Sequence, residues 1–218
     1  MKEKLSLLEQ KATQAMMNPH FIFNVINAIQ SFINSGDKEA ANNYLSDFAK
    51  LIRISSKFSE KSIVLLDEEL DYLNLYLSFE KLRFGENLRY EIIIDPTVDL
   101  QKTSIPVMII QPILENAIWH GILPLNAEGN LKLIINRMSE FLLKIIVEDN
   151  GVGIADSFIS ENLLKQPNDS HMLCIAIQRL KLLSESSHQE IYFRYKHLHP
   201  DQKNKGTIAE FLLPALFE

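Results

Sequence analysis

Three clusters of residues in this 218-residue chain have the types and spacing to do chemistry. The first is MNPHFIFN at 17–24, where His20 follows Pro19 directly. A proline inside a helix removes one backbone hydrogen bond and costs about 3 kcal/mol, so its presence asks for a compensating use. A histidine with an ordinary pKa of about 6.5 offers a neutral, nucleophilic nitrogen near neutral pH. Asn24 stands one helical turn on, at the spacing that stacks two side chains. The same residues also fit an exposed histidine ahead of aromatic packing groups, and the helix alone does not choose. The second cluster is IPVMIIQPILENAIWHGI at 105–122. Pro106 suits the first turn of a helix. Gln111, Glu115, Asn116 and His120 then fall on adjacent faces, with Asn116 and His120 one turn apart. Asn116 can give a neutral oxygen to a hard cation such as Mg²⁺, which keeps waters and phosphate oxygens as its other ligands. His120 can donate to phosphate, and Gly121 is placed as a C-cap. An amphipathic helix with a polar rim has the same pattern. The third cluster is VEDNGVGI at 147–154, where a strand delivers Asp149 to its end. That carboxylate can accept from the exocyclic amine of a base. Gly151 and Gly153, two of the chain's seven glycines, allow close backbone approach just after it.

These residues need elements to hold them. Leu5, Leu8, Ala12, Ala15, Pro19, Ile22, Ile26, Ile29 and Ile33 recur at alternating spacings of three and four. This heptad seam predicts a helix that packs on a like partner, with His20 and Asn24 at the outward b and f positions. Ser35-Gly36-Asp37 breaks it, and Asp37 is an N-cap candidate. A second helix is expected from Lys38 to about Phe58, with Ala41, Tyr44, Leu45, Phe48, Leu51 and Ile52 on one face. Two such helices form an antiparallel hairpin whose apolar faces a single chain leaves partly uncovered, which favours a dimer. Asp67-Glu68-Glu69 supplies a cap and first-turn acids for a third helix that runs to about Phe84 and stops at Gly85. The texture then changes. Strands are expected at 88–95, 131–137, 141–149, 189–195 and 207–214, with helices at 106–121 and about 171–186. The fold class expected is α+β: a helical hairpin, residues 1–85, followed by an α/β sandwich, residues 86–218.

The composition limits the functions open to the chain. It is 46% apolar and 23% charged, the ordinary globular mix, with a net charge of −6. No basic stripe appears, so direct nucleic-acid binding is not expected. Cys174 is the single cysteine, which excludes an internal disulfide and fits a reducing, cytoplasmic setting. The longest apolar runs have about six residues where a membrane span needs ~20. Membrane attachment is therefore expected only through a region upstream.

The order of the pieces resembles the LytS/YehU-like sensor histidine kinases, whose catalytic domain belongs to the GHKL (Bergerat-type) ATPase superfamily. NPHFIFNVINAI is similar to the phospho-acceptor box of that group, LDEEL…YL…EKLRFG at 66–85 to its linker, QPILENAIWHG to its asparagine box, and DNGVGI to its first glycine box. RLKLL at 179–183 and GTIAEFLLP at 206–214 are similar to its tail. The resemblance implies ATP and Mg²⁺ as cofactors and His20 as the phosphorylated residue. It implies Asn116 as the Mg²⁺ ligand, with His120 beside it, and Asp149 as the adenine contact. Gly151, Gly153, Gly206 and Thr207 would then border the nucleotide. Asn24 becomes a candidate for orienting a water that dephosphorylates a regulator. The implied partners are a second copy of the chain and a response regulator, often of the LytTR type in this group. The implied location is the cytoplasmic side of the inner membrane.

Two departures stand out. Many histidine kinases place an acid directly after the phospho-acceptor, and here that residue is Phe21, as is usual for this group. The second glycine box, expected near 170–175, is replaced by Ser170-His171-Met172-Leu173-Cys174-Ile175, and no glycine occurs between Ile154 and Gln178. Fewer backbone amides would then reach a triphosphate, with Lys165 and His171 as side-chain substitutes. Two rivals follow: a degenerate kinase that only dimerises and scaffolds, and a GHKL ATPase outside signalling. Against the second, Pro112 stands where the hydrolytic members often carry a water-activating glutamate.

Overall fold

The computed structural model describes residues 19–125, 127–156, 159, 171–187 and 191–217. Leu5, Leu8, Ala12 and Ala15 of the seam, Lys165 and Ser170 of the glycine-free segment, and the outward orientation expected for the His20 side chain lie outside that description.

Helix α1 (Pro19–Asn34) and helix α2 (Lys38–Phe58) form the expected hairpin. Gly36 takes φ +82° at the turn, and Asp37 Oδ1 accepts from the Ala40 N–H at 2.9 Å. The face that α1 buries differs from the seam. Val25 is buried, and Phe21, Ala28, Ile29 and Phe32 pack on the core, while Ile26 and Ile33 stay 43% and 60% exposed. Aromatic fit explains this choice. Helix α3 (Leu66–Phe84) offers Tyr76 and Phe79, and the Phe21 ring lies 5.5 Å and 6.0 Å from them. Phe79 also meets Tyr44 at 4.7 Å and Phe48 at 6.1 Å. Asn24 is half-buried and engaged in an interaction rather than standing outward.

Helix α3 begins one residue before Asp67. The Glu68 carboxylate, not Asp67, reaches back to the Leu65 N–H at 3.4 Å. Gly85, at φ +61°, ends the helix where expected. Ahead of α3, strand β1 (Ile63–Leu65) pairs antiparallel with β3 (Thr103–Pro106), and β8 (Leu216–Phe217) covers the other edge of β3. Pro106 is therefore the end of a strand, not the first turn of a helix. Ile105 pairs with Val64 and Pro106 with Ile63, and a proline is tolerated at such a strand end. The chain turns through Met108 at φ +50°, and helix α4 (Gln111–Asn116) starts five residues later than expected.

The large sheet has the order β2-β4-β5-β7-β6, from β2 (Leu88–Ile94), β4 (Gly129–Ser139), β5 (Leu142–Asp149), β7 (Thr207–Pro214) and β6 (Phe193–His197). Only the β2–β4 pair is parallel. Burial alternates along the strands, so Leu131, Leu133, Ile135, Leu143, Ile145, Val147, Ala209, Phe211 and Leu213 point into the core. Helix α5 (His171–Ser187) and α4 pack on that side, which gives the α+β sandwich expected. One hydrophobic core runs from Val25 and Tyr44 of the hairpin through α3 to Phe211.

Candidate functional site

Asp149 is the last residue of β5 and is 2% exposed. Its position follows from register. Asp149 pairs with Thr207 on β7 and Leu131 on β4, so the strand ends between two neighbours and its side chain faces inward. The Gly151 N–H donates to Asp149 Oδ1 at 2.8 Å, and Thr207 donates to it as well. Burial nevertheless dominates and raises this carboxyl to about 6.

Glycines make the site possible. The chain after α4 continues as a π-helical turn, Ala117–Ile122. A Cβ on Gly121 would lie 2.7 Å from Asp149 Oδ1 and 3.0 Å from its Cγ. A side chain on Gly151 would overlap the Gly121 backbone, and one on Gly206 would lie 2.5 Å from the Asp149 carbonyl oxygen. The Val152 N–H donates to the Gly121 carbonyl at 3.0 Å, and the Gly206 N–H donates to the Gly151 carbonyl at 3.0 Å. Gly121 thus meets the carboxylate itself, Gly151 packs on the Gly121 backbone, and Gly206 packs on the Asp149 backbone. Gly121 lies inside a buried turn that continues to Ile122, so it is not the C-cap expected. Its missing side chain is needed for close approach.

Asn116 ends α4 and is half-buried. Its amide nitrogen donates to the Tyr195 hydroxyl at 3.4 Å, which leaves the amide oxygen as its other polar atom. Tyr195 is buried and feels the Asp149 charge, and both effects push its hydroxyl pKa up. Asn116, Tyr195 and Asp149 are therefore one coupled polar group. His120 is exposed on the π turn. Gly153, at φ +88°, sits further out against Lys205. There Asp156 takes His197 at 2.7 Å and Lys205 at 3.1 Å, and these contacts hold its carboxyl below the usual range. Among the described residues, no three His, Cys, Asp or Glu side chains converge where a metal could sit. A divalent cation here would find one neutral oxygen, on Asn116, and would take its other ligands from phosphate oxygens and waters.

The structure thus brings together Asn116, Asp149, Gly151, Gly206 and Thr207, with His120 and Gly153 at the rim. His20 and Asn24 lie on α1, in a different layer. A cleft beside them, lined by Phe21, Ile22, Tyr72, Tyr76, Gln111 and Glu115 among others, separates the hairpin from α4. Gln111 Nε2 donates to Glu115 Oε1 at 2.8 Å, and burial raises the Glu115 carboxyl to about 7. Sequence reasoning missed Tyr195, a core-facing strand residue with no local signal, and Glu69. Glu69 is fully buried and accepts from the Met108 N–H at 2.9 Å and from Ile109 and Ile110. It caps α4 from a distant helix, and burial still raises it to about 7.

Residues 8–88 match the family model described as Histidine kinase. The sensor protein LytS of Oceanobacillus iheyensis is 31% identical over 98% of this chain and 36% of that protein. The sensor histidine kinase YpdA of Escherichia coli is 30% identical over 98% of this chain and 35% of that protein. The chain spans about a third of the length of these curated relatives. Among solved structures, the histidine kinase domain of the Erythrobacter litoralis EL346 blue-light activated histidine kinase superposes with a TM-score of 0.48. It shares 18% identity over 97% of this chain and 94% of that one. Among the described residues no helix is long and apolar enough to cross a membrane.

Proposed function

We propose that this chain, a member of the LytS-like sensor histidine kinases, is the transmitter portion of a two-component sensor that binds Mg-ATP and phosphorylates itself on His20. The observation that carries the reading is the buried Asp149 carboxylate with the bare Gly121 against it, and with Gly151 and Gly206 packed closely on the adjoining backbone. A desolvated carboxylate beside backbone that carries no side chain suits the exocyclic amine of adenine. Gly153 and Thr207 border the same site. The Asn116 oxygen and the exposed His120 stand on the side where the phosphates would run. Bound there, Mg²⁺ would neutralise charge on the phosphate oxygens. His20 contributes a neutral nitrogen, which forms the N–P bond to the γ-phosphorus as the bond from that phosphorus to the ADP oxygen breaks. Phe21 follows it, so no acid stands at the next position to take the proton.

On this reading residues 1–85 carry dimerisation and the phospho-acceptor, and residues 86–218 bind the nucleotide. The uncovered Ile26, Ile33, Leu45 and Ile52 support a homodimer formed through the hairpin. The phosphoryl group would pass next to an aspartate of a response regulator on the cytoplasmic side. The test is incubation with γ-labelled ATP and Mg²⁺. Acid-labile, base-stable label is expected on the wild type and none on His20→Gln, which should still bind nucleotide. Full labelling of His20→Gln would overturn the assignment. One feature favours a second reading, a non-catalytic scaffold: the absence of glycine between Ile154 and Gln178. That reading predicts MgADP binding without label on the wild type.

A further inference from the structure

Trp119 is the chain's single tryptophan. It lies inside the π-helical turn, with Asn116 before it and His120 and Gly121 directly after it. A π turn inserts a residue into an α-helical ladder and is less stable than the ladder it interrupts, so something must hold it. Its inner end is held at Gly121, whose carbonyl takes the Val152 N–H and whose bare face meets Asp149. Its outer end is held by Trp119. The Arg83 guanidinium stacks 3.9 Å over the indole ring, a cation–π contact with α3. Glu80, 1% exposed, fixes that guanidinium with an ion pair at 3.1 Å. The Trp119 indole also reaches the Tyr76 hydroxyl, and that hydroxyl reaches Glu80. Both contacts are loose enough to leave the buried Tyr76 oxygen incompletely satisfied.

Tyr76, Glu80 and Arg83 stand at i, i+4 and i+7 on α3, one stripe of a single helix. The other side of the Tyr76 ring carries Phe21 at 5.5 Å, the residue that follows His20. One tyrosine therefore touches both the turn that leads into the Asp149 pocket and the helix that carries His20. Hydrogen bonds that serve a reaction are often long or poorly aligned before the reactive complex forms, and the Trp119–Tyr76 contact fits that description. We propose that Trp119 is a positioning residue for the phosphoryl transfer: gripped by Tyr76, Glu80 and Arg83, it keeps the π turn with His120 and Gly121 in register with the Phe21 end of the His20 helix. This rests on the function proposed above, and it assigns Trp119 no contact with the nucleotide.

Tyr76→Phe and Trp119→Phe each delete one partner of the same loose polar contact and keep an aromatic ring against Phe21 and Arg83. In the full chain, each is expected to slow His20 labelling five- to tenfold at saturating Mg-ATP. The MgADP dissociation constant from calorimetry should stay within twofold, because the adenine pocket is untouched. The double variant should be no slower than the slower single variant, since both remove one interaction. Unchanged labelling rates would overturn the proposal. So would slowing matched by an equal loss of MgADP affinity, which marks damage to the pocket, or effects that multiply in the double variant. If the wild type binds MgADP but takes no label, the kinase reading fails, and Trp119 fluorescence then decides. An emission change with MgADP in the wild type that is absent in Tyr76→Phe upholds the coupling. The same response in both, or none in either, ends it.

Discussion

Replacing Asp149 by asparagine should move two quantities in opposite directions. The carboxyl is raised from 3.8 to about 6 because it is buried. At about 1.36 kcal/mol per pH unit, keeping it ionised in the folded chain at neutral pH costs about 3 kcal/mol. The side chain is 2% exposed, so solvent does not discount that figure. Asparagine has nearly the same shape and no charge, which removes the cost. It also turns an NH₂ toward one of the donors now facing the carboxylate, the Gly151 N–H or Thr207, and leaving one buried donor unpaired costs about 1–3 kcal/mol. The fold of Asp149→Asn should therefore be stabler by about 0–2 kcal/mol at pH 7. Nucleotide binding should weaken, since a charge-assisted bond to the adenine amine, worth about 1.5–3 kcal/mol, is lost. That corresponds to a dissociation constant for MgADP about 10–100-fold higher. The sign with pH follows from the raised value. The stability that the protonated form contributes is complete below about 3.8 and is lost as pH rises through about 6. MgADP affinity of the wild type should rise over that same window as the carboxylate forms, and Asp149→Asn should lack that component of both pH profiles, keeping only what the raised Glu69 and Glu115 contribute to stability in both proteins. Calorimetric titrations and urea unfolding between pH 4.5 and about 7.5 make the comparison. Equal affinity in the variant, or affinity and stability falling together, would refute the adenine role.

Gly121→Ala should weaken MgADP binding about 5- to 100-fold, because the new Cβ lies 2.7 Å from an Asp149 oxygen that is itself pinned, and overpacking costs about 1–3 kcal/mol; unchanged affinity in calorimetry would mean the turn yields. Glu69→Ala removes the acceptor for the Met108 N–H and its neighbours at about 1–3 kcal/mol, so thermal unfolding should begin about 5 °C lower, and an unchanged midpoint would deny the cap its weight. Ile26→Glu combined with Ile33→Glu should give a monomer by light scattering with unaltered helix content, since both side chains are exposed in the single chain; a dimeric mass in the variant would move the interface elsewhere.

How much of this was legible in the sequence depended on whether the signal was local. The Asp37 cap, the Gly85 stop, strand β7 at 207–214 and the delivery of Asp149 by β5 each follow from residues within one element, and each appears where expected. The start of α4 was misplaced because its determinants are remote. Strand β1 claims Ile105 and Pro106, and Glu69 caps the helix from α3. Gly121 was read as a cap because a glycine after a helical run usually is one. The reason it must be glycine is the Asp149 carboxylate, which arrives from β5. The seam on α1 was real in spacing, yet one chain buries the neighbouring Phe21–Val25–Phe32 stripe, because only tertiary contact with Phe79 and Tyr76 discriminates two apolar faces of one helix.

The contacts of α3 also constrain how the Asp149 site, if it takes the nucleotide as proposed, and His20 could approach each other. The sequence texture changes at residues 85–88, but several bonds cross from α3 and β1 to the chain beyond. They are Glu69 to Met108, the Val64–Ile105 pairing of β1 with β3, the Val107 N–H to the Ser62 carbonyl at 3.1 Å, and Arg83 on Trp119. Breaking the first would leave a fully buried carboxylate and several N–H groups unpaired. A rotation at Gly85 would have to break all of them. A rotation N-terminal to Ile63 spares most of them, because residues 59–62 are exposed. Lys61 there is tied to α3 only by a solvent-exposed ion pair with Glu68 at 3.1 Å, a contact that contributes little. Such a rotation carries α3 with the pocket and slides it along the aromatic face of the hairpin. The ring pairs Phe21–Tyr76 and Phe21–Phe79 resist that slide, since each such pair contributes about 0.5–1.5 kcal/mol at a preferred geometry, so the slide has to break weaker contacts than a rotation at Gly85 does. The Glu69 carboxylate and the strand ladder, which are directional, would then travel as one body with the Asp149 site.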